Sequence, residues 1–272
     1  DNLMAFVCMS VTGENQQDLE RERQQKIMQA LTREANLLVD LKGLSIDVAM
    51  EKARKKFGVN LQGEQKESDL ESEINISLPK DFKRLLSLPE DPAFSETYGK
   101  ENQNASCFVI VYPIGNQNAM PFENEIAVID GIHKNLSDTQ GLIEVKFGAL
   151  HNGKRYIYRI VKSKLTPSGV QYALNMHIDD DSVDKNTCLC VEAIFNEKGT
   201  TGQRDSFILN KMMNDGKISL PDMTCWTADP YDKNYRQGLL MNLSEDEKYD
   251  DLFPEHPLSE IRKLIKFIIE NN

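Results

Sequence analysis

Two hydrophobic periods divide the chain. From Glu14 to Leu41 there is no Pro and no Gly, and Ile27, Leu31, Leu38 and Leu41 fall on one stripe at intervals of four, seven and three. That spacing predicts an amphipathic helix. Gly43 follows as a C-terminal stop and Lys42 suits the negative end of the helix dipole. Ser45 is placed to cap a second helix, whose Val48, Ala49, Ala53 and Phe57 form a narrow apolar face before Gly58. The expected unit is a helical hairpin with one apolar side, covered within the chain or by a dimer through these N-terminal helices. Residues 62–73 are polar and mostly acidic, a linker composition.

Beyond residue 73 the period falls to two. Ile74, Ile76 and Leu78 alternate with polar residues until Pro79. Ser106–Tyr112 is a continuous apolar run, the signature of a strand covered on both faces. Residues 123–137 return to helical spacing, with Ile126, Ile129, Ile132 and Leu136 expected inward. Four strands then follow. Ile143, Val145 and Phe147 alternate, then Tyr156, Tyr158 and Ile160, then Val170, Tyr172, Leu174, Met176 and Ile178, then Leu189, Val191, Ala193 and Phe195. Asn152-Gly153, Pro167-Ser168-Gly169 and a polar tip near residue 182 connect them with hairpin chemistry. Residues 203–214 read as helical. Pro257–Glu270 is strongly amphipathic through Leu258, Ile261, Leu264, Ile265 and Ile268, with Pro257 in its first turn.

This order predicts an α+β fold, an antiparallel meander sheet flanked by helices. Three segments are expected: 1–61 with the helical hairpin, the acidic linker 62–73, and a sheet domain over 74–272. The stretches Phe108-Val-Ile-Val-Tyr-Pro, Val128-Ile-Asp-Gly-Ile-His133, Gln140-Gly-Leu-Ile-Glu-Val and Gly153-Lys-Arg-Tyr-Ile-Tyr give residues 74–272 a look that resembles the PsbP-like α/β/α sandwich. That fold includes a small nuclear-import factor that binds the Ran GTPase and several bacterial domains. The resemblance implies a binding or assembly module with a protein partner, not a catalyst.

Charge narrows the choice further. The chain has 272 residues with 32 basic and 43 acidic side chains, a net charge of -11. Phosphate backbones are repelled by such a surface on average, so no nucleic-acid partner is expected. The apolar run Leu3–Met9 is far shorter than the ~20 residues of a membrane helix, so no membrane span is expected. It lacks the basic leader of a signal peptide. The five cysteines are an odd number, which reads as reduced thiols in a cytoplasmic protein. Asn-X-Ser triplets at Asn75, Asn104, Asn135 and Asn242 add little in so Asn-rich a chain.

Motifs for chemistry are sparse. The chain has no phosphate-binding G-x-x-x-x-G-K-[ST], no G-x-G-x-x-G after a strand, no H-E-x-x-H and no G-x-S-x-G. Gly199-Thr-Thr-Gly202 reads as a turn rather than a phosphate cradle. Glu123 and Glu125 suit a helix N-terminus. Asp179–Asp181 with Asp184 lacks the Gly and Glu spacing of a calcium loop. His133 reads as a structural histidine at a helix margin, His151 as solvated, and His256 as part of a turn. No cofactor is expected.

Two features remain. Lys154, Arg155, Arg159, Lys162 and Lys164 form a basic ribbon without an acid. It is either a surface that docks a partner or an internal complement to the acidic tract 222–260. The second feature follows from parity. The strand near 170–178 is apolar at even positions and the strand near 187–195 at odd ones, so antiparallel partners must sum to an odd number. A sum of 365 closes the turn at Ser182-Val183 and sets His177 opposite Cys188 and Asn175 opposite Cys190. His177, Cys188 and Cys190 then share a face, a donor set that suits zinc. The function expected is a non-enzymatic binding or scaffold protein. The alternative is a metal-dependent or hydrolytic enzyme with its site on the sheet.

Overall fold

The computed structural model describes residues 74–272 apart from 75, 86–90, 93, 166–168, 181–186, 220–221 and 224. The chain divides into two compact units, 1–73 with 85–95, and 74–84 with 96–272. The expected helical hairpin, the linker 62–73 and the N-terminal dimer surface lie outside the described residues.

At the centre of the second unit is a seven-stranded sheet. In chain order the strands are β1 (Lys83–Leu85), β2 (Glu96–Glu101), β3 (Ala105–Gly115), β4 (Gln140–Ala149), β5 (Arg155–Lys164), β6 (Val170–Ile178) and β7 (Thr187–Glu197). Across the sheet the order is β1-β2-β3-β7-β6-β5-β4. The pairings from β2 to β4 are antiparallel. β4 through β7 form the meander that alternation predicts. The connection between β4 and β5 uses Gly153 at φ 85°. A side chain there is strained, which is why Asn-Gly suits the position. The fold is α+β.

Three helices complete it: α1 (Glu125–Asn135), α2 (Gln203–Asn214) and α3 (Pro257–Asn271). α3 starts as its sequence requires. Pro257 occupies the first turn, and the His256 side chain caps it by accepting from the Leu258 N–H. Its Leu258, Ile261, Leu264, Ile265 and Ile268 are all buried, against Val109, Val111, Tyr172, Leu174, Met176, Val191 and Phe195 of the sheet. Each such aliphatic is worth about 1.5–3 kcal/mol relative to exposure. α1 covers the opposite sheet face, with Val128 and Ile132 against Leu142, Val145, Ile157 and Val161. The sheet is therefore sandwiched between helices.

The inward stripe of α1 differs from expectation. Ile126 is 74% exposed, and Val128 takes the buried place beside Ile132. Apolar residues at 126, 128, 129 and 132 allow two stripe phases, and packing on β4 and β5 selects the second. Residues 74–78 also differ, because the described ones form no strand. Ile74, Ile76 and Leu78 still turn toward the core. Ser77 pairs instead with the Asn272 side chain, its N–H donating to Oδ1 at 2.5 Å and its carbonyl accepting from Nδ2 at 3.1 Å.

At the outer strand β4, the Val145 N–H donates to the Tyr231 hydroxyl at 2.5 Å, and that hydroxyl donates to the Val145 carbonyl at 3.0 Å. The Leu239 N–H donates to the Gln140 carbonyl at 2.8 Å. Covering an edge in this way removes a template for pairing with other chains.

Candidate functional site

The basic ribbon does not form one surface. Its residues alternate along β5 and separate onto two faces. Lys162 shares the α3 side with Tyr158 and Ile160. It is 3% exposed, and its Nζ stands 2.7 Å from Glu245 Oε2. Glu245 also accepts from the Tyr172 hydroxyl at 2.9 Å and from the Asn242 N–H at 2.7 Å. Lys162 therefore meets the acidic tract from within. At the other end of β5, Lys154 pairs with Asp180 at 2.6 Å, and Arg155 pairs with Asp179 and Glu123. Lys164 is exposed at the end of the strand.

Arg159 stands apart. It is half-buried on the α1 side of the sheet, opposite Val145 on β4 and Asn175 on β6. Among the described residues it makes no hydrogen bond, and no carboxylate lies within ion-pair distance. Burial lowers its proton affinity, while Glu192 and Cys190 act in the opposite sense. A guanidinium taken from water without a matching acceptor is costly.

Its neighbours form a polar strip across the middle strands. The β6–β7 register sums to 367, so Asn175 faces Glu192 and His177 faces Cys190. The expected sum of 365 is off by two residues. The parity stands, so His177, Cys188 and Cys190 share a face, but His177 does not face Cys188. The turn expected at Ser182-Val183 lies outside the described residues. On β3, Tyr112 pairs with Cys190 and Ile110 with Glu192. Asn175 Nδ2 donates to Glu192 Oε1 at 3.0 Å and lies 3.7 Å from Cys190 Sγ. Burial raises the proton affinity of the Tyr112 hydroxyl, and Cys190 and Glu192 beside it act in the same sense.

This strip does not assemble the zinc set. Among the described residues no group of three His, Cys, Asp or Glu side chains is arranged to hold a metal. His177 Nδ1 accepts from the Met120 N–H at 2.8 Å, which occupies one of its two ring nitrogens. Burial, then Arg159, lowers its pKa to about 4. Burial raises the Cys188 thiol to about 11 and pushes the Cys190 thiol further still. Neither is a thiolate near neutral pH, so neither is primed as a nucleophile.

The other singled-out residues are structural. His133 Nε2 lies 2.9 Å from Asp229 Oδ2, and its ring stacks on Tyr235 at 4.2 Å. His151 is exposed. Gly199 and Gly202 have φ of 66° and 72°, and Gly202 is the N-cap of α2. Asn242, buried, accepts from the Ser244 N–H in a capping box with Glu245. Sequence reasoning missed the second ion network, in which Arg262 meets Glu144 and Asp250 and Arg204 meets Asp250 at 2.9 Å. Arg204, at 1% exposure, carried a signal: it lies on the buried stripe of α2 with Ile208 and Met212.

No protein-family model matches the chain, and no curated protein matches it. Solved structures similar to it include the Ran-binding protein Mog1p of Saccharomyces cerevisiae. That protein is 14% identical over 50% of this chain and 77% of its own, with a TM-score of 0.33. A point mutant of Mog1 gives 13% identity over 49% and 76%, with a TM-score of 0.32. The protein of unknown function PA94 from Pseudomonas aeruginosa gives 11% over 54% and 85%, with a TM-score of 0.26. Likeness at this level carries no function across. The Arg159 strip stands on its own geometry. Among the described residues no helix is long and apolar enough to cross a membrane.

Proposed function

We propose that the chain is a non-enzymatic binding module of the PsbP-like sandwich kind, and that its protein partner presents a carboxylate to Arg159. The observation that carries this reading is a half-buried guanidinium without a hydrogen bond or ion pair among the described residues, on a face where neighbouring polar groups are engaged with one another. An incoming Asp or Glu side chain supplies the missing acceptor, and a planar guanidinium takes it in two parallel hydrogen bonds. Glu192 lies two strands away on the same face, so a doubly charged phosphate is disfavoured relative to a single carboxylate.

The test is quantitative affinity capture from the source cells with wild-type protein, Arg159→Lys and Arg159→Ala, each checked for an unchanged melting temperature. A specific partner should be retained by wild type, weakened by the lysine, and reduced at least tenfold by the alanine. Equal recovery by all three proteins refutes the role of Arg159.

A further inference from the structure

A second docking feature lies on the α3 side of the sheet, away from Arg159. The inward stripe of α2 is Arg204, Ile208 and Met212, so Phe207 points outward, at 56% exposure. Its ring meets Phe253 edge-on at 5.7 Å, and the Arg204 guanidinium lies 5.8 Å from the Phe253 ring. Leu252, beside Phe253 at the end of the 3-10 turn Glu247–Leu252, is 54% exposed. An exposed aromatic side chain thus stands against a second ring, and the residue before that ring in the chain is also an exposed apolar one.

The surroundings select the occupant. Between residues 246 and 255 the chain has five acids and one base. Asp250 is consumed by Arg204 and Arg262, and Asp246 by Lys248. Glu247, Asp251 and Glu255 remain exposed beside the apolar pair, with Glu247 3.4 Å from Lys146 and Glu255 accepting from Asn104. An apolar centre with an acidic rim complements a segment that carries its own apolar stripe and lysine or arginine flanks. The same rim repels an anionic lipid surface.

We infer that Phe207, Leu252 and Phe253 form a docking surface for a basic amphipathic segment of a protein partner. This is independent of the Arg159 reading. If both hold, the module has two interfaces on opposite sides of its sheet and joins two acceptors.

The probe is a labelled 18-residue helical peptide with leucines at i, i+3, i+4 and i+7 spacing and lysines elsewhere. A control peptide carries glutamates in place of the lysines. Fluorescence anisotropy should show the lysine peptide binding the intact chain at least tenfold more tightly than the glutamate peptide. Phe207→Ser/Leu252→Ser should reduce that binding at least tenfold with an unchanged circular dichroism spectrum, because both side chains are exposed. Asp251→Asn/Glu255→Gln should weaken it and flatten its salt dependence. Binding that survives the apolar double variant overturns the inference. So does a wild-type dimer that the same variant converts to monomer in sedimentation, since the occupant is then a second copy. Arg159→Ala leaves this peptide's binding unchanged, which separates the two interfaces.

Discussion

Acid should loosen this protein through His177. The side chain is 5% exposed, and its Nδ1 accepts the Met120 N–H, so the neutral ring is the form the fold uses. Opposite it are Ile157 on β5 and Cys190 on β7, with Arg159 and Cys188 two residues along on the same face. No carboxylate is among the causes that set its pKa. The folded pKa is about 4, against 6.5 for the free side chain. Between these values the unfolded chain binds a proton that the folded chain refuses, so stability rises with pH. The contribution is fully present above about 6.5 and is lost as pH falls toward 4. At about 1.4 kcal/mol per pH unit, the loss across that window is about 3 kcal/mol. Carboxylates titrate in the same range, so a comparison isolates the histidine. His177→Asn keeps an acceptor, Oδ1, near the position of Nδ1 and does not titrate. Urea unfolding of both proteins at pH 7.5, 6.5, 5.5 and 4.5 should show the wild-type advantage shrinking by about 2.5 kcal/mol on acidification. A difference that stays constant with pH, or an NMR titration of His177 centred above 6, refutes the argument.

Three further outcomes are expected from the packing. Lys162→Met strands a buried Glu245 carboxylate and should cost about 3–5 kcal/mol, whereas Lys162→Met/Glu245→Gln should recover much of it in a double-mutant cycle by urea unfolding. Leu264→Asp places a carboxylate where the side chain is 1% exposed, and should lower stability by several kcal/mol, seen as a large fall in melting temperature. Gly141→Ala sets a methyl 1.6 Å from the Leu239 carbonyl, so the strap over β4 must lift. Hydrogen exchange should then show faster exchange of the Leu239 amide.

The sequence alone determined the sheet's sides. Alternation along β5, β6 and β7 assigned each side chain to a face because successive strand residues point to opposite sides. The same alternation left the register open. Sums of 365 and 367 both keep Tyr172, Leu174 and Phe195 on the core face, since a slip of two residues preserves parity. Pairing with β3 and β5 and the packing of the flanking helices accompany the second choice. The stripe of α3 was legible in full, because one long amphipathic helix has one apolar face to bury. The shorter α1 offered two phases, and its packing chose Val128 over Ile126. For the basic residues, parity already placed Lys162 with Tyr158 and Ile160. Its partner Glu245, however, lies 83 residues away, and no local pattern links them. Nor can a sequence show that Arg159 has no ion pair among the described residues, because an ion pair is a distance between groups that only the folded chain brings together.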